Sequence, residues 1–130
     1  MIRRGLVKDA PVVHSVLLAA RDDIPLTAKF ADQAYQDWVR RECRRQRVWL
    51  DERDGNVAGV MVLHVREIFY LVTASEFRSR GVASGLVDHA ISYVQRRHRD
   101  GVTARAREEN IPIVRKRRAH PTLRVTIAAG

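Results

Sequence analysis

Between Val48 and Thr73 the chain passes through three segments rich in apolar and β-branched residues, interrupted only by Asp54-Gly55-Asn56 and a short break before Glu67. No other feature constrains the fold as much. Asp-Gly between two such runs is a hairpin signal, because a tight hairpin needs positive φ at its turn residues and these two adopt it at low cost. The pattern predicts strands over 48–52, 57–65 and 67–73. The middle one is apolar almost throughout, as expected of a strand covered on both faces.

The flanks supply the cover. Residues 2–7 read as a first strand. Asp9 is placed to cap a helix with Pro11 in its first turn and Val13, Val16, Leu17 and Ala20 as its apolar stripe. Asp22-Asp23-Ile24-Pro25 ends that helix. Thr27 opens a second one, with Phe30, Ala34, Trp38 and Val39 at helical spacing and a charged end from Arg40 to Arg47. After Thr73, a loop with Arg78, Arg80 and Gly81 leads into a helix carrying Val82, Leu86, Val87, Ala90, Ile91 and Val94 on one side. Asp100-Gly101 closes it. A strand over 102–107, a short helix over 110–118 and a strand over 123–128 complete the order β-α-α-β-β-β-α-β-α-β. That alternation implies an α/β (α+β) class, with a mixed sheet flanked by helices.

The chain has 130 residues and 45% hydrophobic content, enough for one domain with a modest core, so residues 1–130 are expected to form a single domain. The longest apolar run, over 10–20, is too short to cross a bilayer, and no secretory leader opens the sequence. A soluble cytoplasmic protein with no membrane partner is the expectation. The single Cys43 excludes an internal disulfide and a multi-thiolate zinc site, and no His, Cys, Asp and Glu cluster has ligand spacing, so no metal is expected. The net charge of +9 is uneven. Residues 96–130 hold ten basic and three acidic side chains, and nearly all the basic ones are arginine. Arginine's planar fork suits phosphate and carboxylate, so a polyanionic ligand or nucleic acid competes here with an ordinary solvated surface.

The segment with the most chemistry is Arg78-Ser79-Arg80-Gly81-Val82-Ala83-Ser84-Gly85, between a strand and an amphipathic helix. Small residues let backbone approach a ligand, a helix start offers unpaired N–H groups and a positive dipole end, and two arginines add charge. Those are the parts of a pyrophosphate cradle. The segment is neither a P-loop nor a dinucleotide fingerprint, and a polar turn with ordinary glycines is the alternative.

Arg78-Ser79-Arg80-Gly81-Val82-Ala83 resembles the acyl-CoA-binding motif of the GNAT superfamily of N-acyltransferases, Gln/Arg-x-x-Gly-x-Gly/Ala. Glu67-Ile68-Phe69-Tyr70-Leu71-Val72-Thr73 resembles that family's fourth strand, Val57-Ala58-Gly59-Val60 its third, and Ile2-Arg3-Arg4 with the Asp9 helix its usual start. Arg107-Glu108-Glu109-Asn110 resembles the end of its fifth strand and the opening of its fourth helix. The resemblance covers about residues 1–114 and implies a GNAT-like, mostly antiparallel central sheet.

It also implies a cofactor, acetyl-CoA, and a reaction, direct transfer of an acetyl group to a primary amine in a ternary complex. The pantetheine arm would lie along Leu71, Val72 and Thr73. Backbone N–H groups from Arg80 through Gly81, Val82, Ala83 and Ser84 would hold the pyrophosphate, with Arg78, Ser79 and Arg80 beside it, and Asn110 would be a further cofactor-binding residue. Glu67 stands eleven residues before Arg78, where some members keep a general base. The alternative for Glu67 is a strand-end surface carboxylate. The acceptor would be an amine-bearing small molecule, peptide or protein. A tRNA-acetylating member or a non-catalytic CoA-binding relative are the competing readings.

The C-terminal end departs from the family. Counting from Asn110, the usual Phe-Tyr falls on Lys116 and Arg117, so the tyrosine acid is absent, and the chain is one strand short. Tyr70, Tyr93, Cys43 or a water are the stand-ins that spacing leaves open. An open last strand position also suggests an edge-paired or swapped homodimer. His14 and His64 read as structural histidines, Trp38 and Trp49 as core or pocket wall, and Cys43 as an inert buried thiol. Asp22, Asp23 and Ile24 lie where the family shapes its acceptor site, or form an ordinary helix-ending loop.

Overall fold

The computed structural model describes residues 1–19, 33–97, 102–106 and 123–127, the last two stretches through their backbone. Strands β1 (Ile2–Arg4), β2 (Val48–Arg53), β3 (Asn56–His64), β4 (Glu67–Thr73), β5 (Val102–Ala106) and β6 (Leu123–Ile127) form one six-stranded sheet in that order. The first four run antiparallel to one another, and β5 and β6 add in parallel. Helices α1 (Ala10–Ala19), α2 (Gln33–Arg44) and α3 (Val82–Arg97) flank it. The expected mixed, mostly antiparallel sheet with helices is the one observed. Thr27, the acidic loop at 22–25 and the helix expected over 110–118 lie outside the described residues.

Two turns fix the register of the central strands. The β2–β3 turn has two residues, Asp54 at φ 53° and Gly55 at φ 77°, with Arg53 and Asn56 paired across it. Positive φ at both positions matches the right-handed twist of the strands, which is why Asp-Gly stands here and why Asn56 belongs to β3. The β3–β4 turn is Val65-Arg66, with His64 opposite Glu67. Val65 sits at φ 56°, a conformation that crowds a β-branched side chain, so β3 ends one residue earlier than its apolar run.

The first strand is shorter than the expected 2–7. Gly5 N–H still bonds Val48 C=O at 2.8 Å, but Leu6 N–H turns to Asp9 Oδ2 at 2.7 Å. Asp9 is thus the third residue of a one-turn 3₁₀ helix (Val7–Asp9) rather than the cap of α1. Its carboxylate also takes a two-pronged hydrogen bond from Arg3, at 2.9 and 3.1 Å. That arginine draws the acid inward and ends the strand.

The sheet has a core on each face. On one, Ala58, Met61, Leu63, Ile68 and Leu71 pack against Val82, Leu86, Val87, Ala90, Ile91 and Val94 of α3. On the other, Val48, Leu50, Val60, Val62 and Val72 meet Val13 and Leu17 of α1 and Val39 and Cys43 of α2. Each fully buried aliphatic side chain contributes about 1.5–3 kcal/mol, so these layers hold the helices in place. Gly59 sets how close α3 comes: a Cβ there would collide with Val82 Cγ1 and lie 3.1 Å from Leu86 Cδ1. Among the described residues no helix is long and apolar enough to cross a membrane.

Candidate functional site

The site starts where β4 and β5 part. They pair at two positions, Glu67↔Thr103 and Ile68↔Ala104, while β4 goes on pairing with β3 as far as Thr73. The split coincides with an irregularity on the β3 side, where Val62 opposes Tyr70 but Leu63 opposes Ile68. Phe69 is therefore an extra residue, and bulges of this kind bend a strand and re-aim its side chains. Phe69 and Tyr70 both pack toward α1 and α2, whereas Ile68 and Leu71 pack toward α3. Leu71 and Val72 are each 8% exposed, so their side chains belong to the cores on the two faces.

The chain then makes a 3₁₀ turn (Ser75–Phe77) and a loop that ends at Gly81. Ser79 and Gly81 have φ of 66° and 75°. Gly85 N–H bonds Gly81 C=O at 2.9 Å, which makes Gly81 the residue that opens α3. The N–H groups of Val82, Ala83 and Ser84 therefore have no partner within the helix, while the side chains of Val82 and Ala83 point into the core. A Cβ built on Gly81 meets nothing within 4 Å, so there is open space at the helix start. Arg78, Ser79 and Arg80 are exposed around it. Arg53 Nη1 donates to Arg80 C=O at 3.1 Å, and the Arg80 guanidinium lies 5.5 Å from the Phe77 ring centre, so the loop is braced from β2. A helix start with open space, positive dipole and two exposed arginines suits a diphosphate. On the α1 side of this loop, a cleft of about 500 Å³ runs between Val12, Val16 and Ala19 and the segment from Thr73 to Arg78.

Glu67 is half-buried at the split, opposite His64 and next to Ile68. His64 Nε2 lies 3.0 Å from Glu42 Oε2 of α2, and the Arg47 guanidinium is 3.5 Å from the same oxygen. The His64 ring stacks on Phe69, with centroids 4.8 Å apart and planes 8° apart. Trp38 of α2 continues the aromatic wall, 6.3 Å from Phe69 and 5.7 Å from Tyr70. Glu42 carried no signal in the sequence, and His64 and Trp38 read there only as structural residues or pocket wall, because residues from α2, β3 and β4 meet only through tertiary packing.

The structure sorts the candidates for the missing acid by position. Tyr70 is on β4, one residue past the bulge and beside Trp38. Tyr93 is on the opposite face, its hydroxyl 2.6 Å from Arg4 Nη2 and its ring against Trp49. Cys43 is buried in the α1/α2 core, and burial pushes its thiol up to about 11, as an inert thiol requires. Trp38 lines the aromatic wall and Trp49 packs in the α3-side core. Asn110, Asp22, Asp23 and Ile24 lie outside the described residues, as does most of the basic stretch 96–130. Among the described residues no group of three or more His, Cys, Asp or Glu is arranged to hold a metal ion.

This architecture, a splayed β4 followed by an arginine-flanked helix start, defines a class. The model of the acetyltransferase (GNAT) family matches residues 17–115, and the chain belongs to that family. A search of curated protein sequences finds no match. The fold is similar to a GCN5-related N-acetyltransferase from Ralstonia eutropha JMP134, with a TM-score of 0.74 at 17% identity, covering 100% of this chain and 96% of that one. It is similar too to a ribosomal-protein-alanine N-acetyltransferase from Brucella melitensis, with a TM-score of 0.72 at 19% identity over 91% of this chain and 83% of the other. A third similar structure, described as a predicted acetyltransferase from Clostridium acetobutylicum and solved with acetyl-CoA, has a TM-score of 0.64 at 14% identity, covering 89% and 86%.

Proposed function

We propose that the protein is an acetyl-CoA-dependent N-acetyltransferase that acylates a primary amine directly, in a ternary complex. The observation that carries this reading is the coincidence of two features on one strand. β4 leaves β5 after Ile68, and the same strand leads into the open helix start at Gly81. The N–H groups of Gly81, Val82, Ala83 and Ser84 hold the diphosphate, with Arg78 and Arg80 balancing its charge and Ser79 shaping the turn. The backbone of Leu71, Val72 and Thr73 hydrogen-bonds the arm that carries the thioester. Acetyl-CoA supplies an activated acetyl group.

The protein's own part in the chemistry lies at the split. A protonated amine cannot attack, so Glu67 accepts a proton from it. The C–N bond then forms and the C–S bond breaks, the nitrogen gives its second proton to Glu67 once the first has left for solvent, and the leaving thiolate is protonated from Tyr70 or from water. The partner is an amine-bearing small molecule, peptide or protein.

The test is turnover. Purified protein with acetyl-CoA is offered a panel of polyamines, aralkylamines and peptides with free N-termini, and free thiol is measured. The reading expects release that depends on one amine class and falls about 100-fold in Glu67→Gln. Amine-dependent turnover unchanged in that variant removes Glu67 from the chemistry, and no turnover with any amine contradicts the reading.

A further inference from the structure

Acetyl transfer to an ammonium releases two protons from nitrogen, one before attack and one after the C–N bond has formed, and a lone carboxylate holds only one at a time. A second group stands beside Glu67. His64 is its register partner across the β3–β4 turn. Opposed residues of an antiparallel pair share a face, with Cβ atoms about 5 Å apart. The imidazole is fixed on both sides, by Phe69 stacked on one ring face and by Glu42 at Nε2. Phe69, on which the ring stacks, is the first residue of β4 past its last pair with β5.

Glu42 is 2% exposed, deep for a carboxylate, and a charge so placed demands partners. His64 and Arg47 are those partners. Arg47 is tied down in turn: its N–H donates to Glu42 C=O at 3.1 Å and its C=O accepts from Leu63 N–H at 2.8 Å. Holding α2 to the sheet would need no titratable ring, and apolar packing does that job elsewhere on this face. A carboxylate that engages one imidazole nitrogen fixes the tautomer and orientation of the other.

We infer that His64 is a proton relay for acetyl transfer, oriented by the buried Glu42 and working with Glu67. The inference rests on the acetyl-transfer reading above. The proton leaves the amine nitrogen for Glu67 and passes to His64 Nδ1. Glu42 balances the imidazolium, and the half-buried ring returns the proton to solvent, ready for the second. Among the described residues the charged groups near His64 are Glu42 on α2, Arg47 between α2 and β2, Arg66 in the turn and Glu67 at the start of β4. Glu42 is a positioning residue.

The experiment uses the best amine from the panel and compares wild type, His64→Gln and Glu42→Gln in kcat, KM and pH profile, with acetyl-CoA affinity measured in parallel. His64→Gln is expected to lower kcat about 100-fold, flatten the acid limb of the profile and leave acetyl-CoA affinity within about twofold. Glu42→Gln is expected to lower kcat about tenfold while KM and acetyl-CoA affinity stay within about twofold, a split that a merely structural role would not give. A His64→Gln variant with wild-type kcat and profile overturns the relay. If that variant does not fold, a wild-type kcat in Glu42→Gln overturns it instead. A wild type that neither binds acetyl-CoA nor acetylates any amine overturns the transfer reading itself, an outcome distinct from failure of the relay alone.

Discussion

On the α3 face of the sheet, Met61, Leu63, Ile68 and Leu71 meet Val82, Leu86, Val87 and Ala90 in an apolar layer, whereas the α1/α2 face carries Glu42, His64 and Arg47 at the end of its core. The contrast follows what each face must do. The α3 layer holds a helix start at a fixed height above β4, and non-directional packing against Gly59 achieves that. The other face keeps charge at the strand split, where protons move in the proposed reaction. Apolar packing thus surrounds the helix start, a buried ion pair stands beside the register partner of Glu67, and substitutions at the two places should fail in different ways.

The largest effect is expected at Leu86, fully buried in the α3 layer. Leu86→Ala should cost about 3 kcal/mol in a denaturant titration, because the cavity adds to the lost transfer energy. Gly59→Ala should cost about 2 kcal/mol, since Val82 must move to admit the methyl group. It should also weaken acetyl-CoA binding, because Val82 begins the helix whose N–H groups are proposed to hold the diphosphate. A Gly59→Ala protein of wild-type stability would show that α3 is not held by that contact.

The Gly59 contact illustrates what the sequence could and could not convey. Asp54-Gly55 announced the first hairpin because its turn chemistry is local, and the bounds of β4 followed from an uninterrupted β-rich run between two breaks. The loop and helix start from Arg78 to Ser84, proposed above as the diphosphate cradle, could be singled out for the same reason, as neighbours in one short segment. The early end of β1 was not, since it depends on Arg3 drawing Asp9 inward. Nor was the strained turn at Val65, which its side chain argues against. The Glu42–His64 pair joins residues 22 positions apart through the packing of α2 on β3, and no spacing rule relates them.

A smaller effect belongs to Asp9. The Arg3 guanidinium holds its carboxyl below the usual carboxylate range, chiefly through the paired hydrogen bonds. The unfolded chain therefore takes up the proton first as pH falls. The pair's stabilisation is complete above the ordinary carboxylate range and is lost as pH drops through the lowered folded value. Asp9→Asn should cost about 1 kcal/mol at pH 7, and the gap to wild type should close on acidification below about pH 4. A gap independent of pH would assign the loss to packing.

The smallest change is a gain. Val65 holds positive φ in an exposed turn, so Val65→Gly should raise stability by about 0.5–1 kcal/mol, strain relief outweighing the entropy of glycine. A loss would mean that the valine side chain stabilises the His64–Glu67 end of the hairpin.

The central claim is that the helix start after β4 holds the diphosphate of acetyl-CoA. Calorimetric titration of wild type and Gly81→Glu with acetyl-CoA tests it most directly. The account predicts saturable one-to-one binding by wild type and none by the folded variant, whose carboxylate would stand in the open space at the cradle. Equal affinity in the two proteins, or no binding by folded wild type, would contradict it.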